Sequence, residues 1–159
     1  QTQTFKSKPL AKDWAALTES DLKAGRLLPR VIAERHTVSD LLARYRKEVL
    51  PLKKAKFIRD QTVHLDWWEA KLGRYSLAQL NSNVIGQARI ALSTEPIGKK
   101  SVKVQTKDAK GNTVTKTIQE DRVRAPATVV RYMGALSHAL NTAVNEWGWI
   151  DKSPMIGVR

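Results

Sequence analysis

Apolar residues recur at helical spacing in five stretches of the chain, separated by the polar, glycine and proline residues that end helices. Leu10, Trp14, Leu17 and Leu22 predict a helix over Pro9–Lys23, with Gly25 as its C-terminal cap. Residues Arg26 to His36 have no clean period and contain Pro29, so they read as a connector, with a boundary near Thr37. Val38, Leu41, Leu42, Tyr45 and Val49 form the next stripe, capped by Thr37 or Ser39 and stopped by Pro51. After a turn at Lys53 and Lys54, a helix runs from about Ala55 to Leu72, with Ile58, Gln61, Leu65, Trp68 and Leu72 on one side and Gly73 as its stop. Val84, Ile85, Ala88 and Leu92 mark a helix that starts at Asn81 or Ser82 and ends before Pro96. The longest stripe, Val129, Met133, Leu136, Leu140, Val144 and Trp147, predicts a helix from Pro126 to Trp147 ahead of Gly148.

One segment breaks this rhythm. Between Lys99 and Ile118 the period becomes two, and Asp108 with Gly111 suits a type I turn with a bulge, so a β-hairpin is expected. Lys99, Lys100, Lys103, Lys107, Lys110 and Lys116 face only Asp108 there, which makes the hairpin either a cationic protrusion or a solvated insertion. The expected fold is all-α: a four-helix bundle over 37–159 with a hairpin insertion at about 99–118 before the last helix. An extra helix and connector occupy 1–36.

A length of 159 residues suits one well-cored domain. With 42% hydrophobic and 27% charged residues the chain should fold rather than stay disordered. It has no cysteine and only three scattered histidines, so neither a disulfide framework nor a metal site or other cofactor is implied. No apolar run is long enough to span a membrane and none resembles a signal peptide, which leads to the expectation of a cytoplasmic protein. A first residue other than Met and a last stretch without a capping signature suggest a piece of a longer protein.

Charge changes the picture most. Lys and Arg number 28 against 15 acidic residues, a net charge of +13, which favours a polyanionic partner. Lys53, Lys54, Lys56 and Arg59 cluster at one predicted helix start, and Arg122, Arg124 and Arg131 at another. Helix starts also offer free N–H groups and the positive end of the dipole to phosphate. Asp60, Asp66 and Glu69 read as a solvated, salt-bridged face more readily than as the metal site of a nuclease. Trp67, Trp68, Trp147 and Trp149 sit among leucines at helical spacing, which favours core packing over stacking on single strands. Tyr45, Tyr75 and Tyr132 read as partly buried aromatics.

Three segments carry a family resemblance: Thr37-Val-Ser-Asp-Leu-Leu-Ala-Arg-Tyr, Leu65-Asp-Trp-Trp-Glu-Ala-Lys-Leu-Gly, and Arg124-Ala-Pro-Ala-Thr-Val-Val-Arg-Tyr-Met-Gly-Ala-Leu-Ser-His-Ala-Leu with Trp147-Gly-Trp-Ile and Ser153-Pro. From about Thr37 to Arg159 the chain resembles the SAM-like core-binding domain of phage-type tyrosine recombinases. Residues upstream resemble the end of a prophage integrase's amino-terminal region. The resemblance implies double-stranded DNA as partner, other integrase protomers in a synaptic complex, and two helices in adjacent major grooves. Lys56, Asp60 and Thr128 match base-reading positions. Lys56 can donate to guanine and Thr128 can meet a base or a thymine methyl, whereas Asp60 either accepts from cytosine or pairs with Lys56. The family cleaves DNA with a separate domain that carries a His-x-x-Arg motif and a tyrosine nucleophile. None of His36, His64 or His138 has Arg three positions later, so this stretch is expected to bind without cutting and, alone, to be monomeric. A helical transcription-regulator module is the alternative.

Overall fold

The computed structural model describes residues 4, 6–23, 27–107 and 113–158. The helices are α1 (Lys8–Lys23), α2 (Leu27–Arg35), α3 (Val38–Glu48), α4 (Ala55–Leu72), α5 (Ser82–Thr94) and α6 (Pro126–Asn145), with a 3-10 turn at Leu50–Leu52. Strands β1 (Lys99–Lys107) and β2 (Thr113–Asp121) pair antiparallel between α5 and α6, from Lys99 opposite Asp121 to Lys107 opposite Thr113.

The all-α expectation is therefore corrected. The described residues hold six helices and a two-stranded antiparallel sheet, nine residues per strand, which makes a small mixed helical and β domain rather than a four-helix bundle. Pairing runs to Asp121, past the expected limit at Ile118, because Arg122 extends the ladder by exchanging backbone hydrogen bonds with Ile97 and Gly98 at 2.7 and 2.8 Å. The connector expected before Thr37 is also a helix, α2. Pro29 falls in its first turn, where a missing N–H breaks no helical bond, so the proline does not prevent it. Gly25, Asp108, Lys110 and Gly111, on which a cap and a turn type were expected, lie outside the described residues.

Side chains from α3 to α6 make one core. Val38, Leu41, Leu42, Tyr45, Leu65, Trp68, Ile85, Leu92, Leu136 and Leu140 are fully buried. Thr37 caps α3 in a capping box with Asp40, each satisfying the other's backbone N–H. Asn81 accepts from the amides of Asn83 and Val84 to start α5. Gly73 does follow α4, but with right-handed backbone. A Cβ there would collide with the Glu69 carbonyl and the Ser39 hydroxyl, so close approach of the α4 end to the α3 start selects glycine. Gly148 does need its positive φ of 60°, and beyond it Trp149 stacks on His36 with ring centroids 3.9 Å apart. The α1 stripe, by contrast, leaves Leu10, Leu17 and Leu22 more than half exposed.

Candidate nucleic-acid interface

Helices α4 and α6 pack against each other through Leu65, Trp68, Val129, Tyr132 and Leu136. The buried Trp68 indole donates from Nε1 to the Tyr132 carbonyl at 2.8 Å, clasping the two helices. With the apolar sides turned inward, the polar sides of their first halves face one another across an open groove of about 750 Å³. Lys56, Phe57, Asp60, Gln61, Val63 and His64 form its α4 wall, and Thr128, Arg131, Gly134 and Ala135 its α6 wall.

Four of the nine residues singled out from sequence thus share this groove: Lys56, Asp60, Thr128 and Arg131. Lys56 and Asp60 make no ion pair with each other, so the lysine head is available to a ligand. Lys54 caps α4 through backbone alone, and neither α4 nor α6 carries an acidic residue in its first turn. Both helix starts accordingly present uncapped N–H groups. Lys54 and Arg59 are exposed on α4 outside the groove lining. Arg122 lies exposed at the hairpin root.

Two predicted residues are engaged inward. The Arg124 side chain is only 12% exposed; its guanidinium donates to the Leu92 carbonyl at 3.1 Å, lies 3.8 Å from Glu95 and sits 5.7 and 5.5 Å from the Trp67 and Tyr132 ring centroids. It ties the end of α5 to α4 and α6. Lys53 is half-buried beside the Tyr45 ring, and burial pushes its ammonium below the ordinary lysine value.

Residues outside those nine complete the walls. Phe57 and Val63 are more than half exposed and give the groove apolar surface. Gln61, placed in the core stripe from its spacing, lines the groove instead, with its Oε1 buried and unpaired. His64 packs on Tyr132 with centroids 4.1 Å apart; burial holds its ring below the usual histidine value, Arg131 adds to that and Asp60 opposes it.

The remaining carboxylates of α4 are occupied. Arg46 bridges Asp66 at 2.7 Å and Glu69 at 2.6 Å, and among the described residues no group of acids and histidines could hold a metal ion. Tyr45 is buried with its hydroxyl 2.9 Å from His138 Nδ1, and burial raises its pKa to about 12. Tyr132 is also buried. Trp67 donates to Glu95 at 3.1 Å and edges onto Trp68. Among the described residues no helix is long and apolar enough to cross a membrane.

Comparison with family models, curated proteins and solved structures gave no match.

Proposed function

We propose that this chain grips duplex DNA at a recombination site, as the core-binding part of a tyrosine-recombinase integrase that cleaves through a separate domain and assembles with further protomers. The observation that carries the reading is the α4–α6 groove: Lys56 and Arg131 offer charge, Thr128 offers a hydroxyl, and two uncapped helix starts flank it. Phosphate neutralisation needs several cations on one surface, because each contact releases condensed counterions and the gains accumulate. Base edges in the major groove are then within reach of Lys56, Thr128 and Asp60, with Phe57 and Val63 offering apolar contact to a thymine methyl.

The test is a fluorescence titration of duplexes from the ends of the parental element, alongside scrambled duplexes, between about 50 and 200 mM salt. Affinity should fall steeply with salt and favour the element ends modestly. Affinity that stayed flat would remove phosphate as the main attraction and the reading with it. A nicked suicide substrate adds the chemical control: binding without a covalent adduct is expected, and an adduct abolished by Tyr132→Phe would overturn the assignment of cleavage to another domain.

A further inference from the structure

The β1–β2 ribbon has two unlike faces. Residues directly opposite in an antiparallel pair point to the same side. On one side Val102 faces Ile118, Val104 faces Lys116 and Thr106 faces Val114, while Lys100 pairs with Glu120 at 3.3 Å near the root. Val102 and Val104 are the only half-buried residues among those described in the ribbon, while Ile118 and Val114 on the opposite strand stay exposed. The other side is wholly polar. Ser101 accepts from Gln119 at 2.8 Å, and beyond that pair come Lys103 opposite Thr117, Gln105 opposite Thr115 and Lys107 opposite Thr113.

Neither 101–107 nor 113–119 contains a carboxylate, and Lys103 and Lys107 form no ion pair among the described residues. Among the described residues no third strand joins the ribbon. Nine residues per strand give a length of roughly 27–30 Å, and two strands about 4.8 Å apart fit a major groove about 12 Å wide. The ribbon rises from Gly98 and Arg122, and only residues 122–125 separate it from α6, whose first turns supply Thr128 and Arg131 to the groove.

From these features we infer that the ribbon is a second DNA-contacting element, which lays its Lys103–Gln105–Lys107 face into a groove of the same duplex held by α4 and α6. The inference rests on the DNA-binding reading above. Lysines four residues apart meet phosphates along the groove wall, and Gln105, Thr115 and Thr117 supply hydrogen-bonding groups between them. The apolar side turns away from the duplex and supplies no contact to DNA.

The experiment measures affinity against salt for the full chain and for Lys103→Ala/Lys107→Ala, whose positions touch no core. Loss of two phosphate contacts should lower the slope of log K against log salt by about two, so that the variant loses about tenfold less affinity than the parent between about 50 and 200 mM salt. A photo-crosslinking residue at Gln105 should capture DNA, and one at Val104 on the opposite side should not. An unchanged slope with no capture from Gln105 overturns the ribbon while leaving the α4–α6 groove standing. Capture of a second copy of the chain instead of DNA overturns it in favour of a protein-docking arm. If the unmodified chain shows no salt-dependent binding, ribbon and groove fall together.

Discussion

Arg131 and Arg124 lie seven residues apart on one segment, yet their surroundings assign them opposite work. Arg131 is exposed on the groove wall, whereas the Arg124 head is spent on the Leu92 carbonyl, Glu95 and two aromatic rings. Arg131→Ala should weaken binding to every duplex and lower the salt slope by about one, without shifting the melting temperature much. Arg124→Ala should do the reverse: it leaves the Leu92 carbonyl short of a partner and costs about 1–3 kcal/mol of stability in denaturant unfolding, with the slope retained. Thr128→Ala should chiefly erode discrimination between element-end and scrambled duplexes, by about 1 kcal/mol, in the same titrations. Equal loss on both duplexes would remove Thr128 as a reader. Charge along the sequence marks all these arginines alike; which of them turns inward depends on the aromatic and carbonyl groups that neighbouring helices bring, and no local pattern encodes that. Gln61 is the converse, a polar residue at core spacing that ends at the edge of the groove.

At the scale of elements, α4 and α6 were the most legible, because long apolar stripes, Pro126 and Gly73 bound them on both sides. α4 runs over Ala55–Leu72 as its stripe predicts, and α6 stops at Asn145, two residues short of Trp147, which instead packs with Trp149 on the following segment. The face of α6 that meets its neighbours is wider than one stripe, since Ala135, Ala139 and Ala143 are buried as well. α2 was missed because proline was weighed as a breaker without regard to its place in the first turn. The hairpin was visible from its period, but an all-α class that treated it as an insertion understated its eighteen strand residues. The Trp68 hydrogen bond to the Tyr132 carbonyl joins α4 to α6 inside their packed interface. Trp68→Phe removes the indole N–H and leaves part of the indole's volume empty in the core, so unfolding free energy should drop by about 1–3 kcal/mol, and DNA affinity should fall as the walls lose their register. Stability and affinity unchanged by the substitution would show that the clasp is incidental.

For the molecule as a whole, protonation links the groove to stability. Burial is the main cause that holds both His64 and His138 below the ordinary histidine value of 6.5; Arg131 adds to the first and Lys53 to the second, while Asp60 and Glu146 oppose. The unfolded chain therefore binds protons below pH 6.5 that the folded chain still refuses. This stability contribution is complete above that pH and is lost as pH falls below it. Melting temperature should decline between about pH 7 and 5, and His64→Gln/His138→Gln should flatten the decline. A double variant with an undiminished slope would place the titration elsewhere, because Asp40, which its bonds to Thr37 hold below the carboxylate range, acts only at lower pH.

The stack of His36 on Trp149 closes the body like a clasp on a bracelet. The chain between those two rings would reach about 400 Å if drawn out. Under tension applied at the positions flanking the stack, that whole length stays shielded until the stack, the His36 and Trp149 backbone bonds and the core beside them give way together. An optical-tweezers trace should then show a single abrupt rip rather than a staircase of helices peeling from either side.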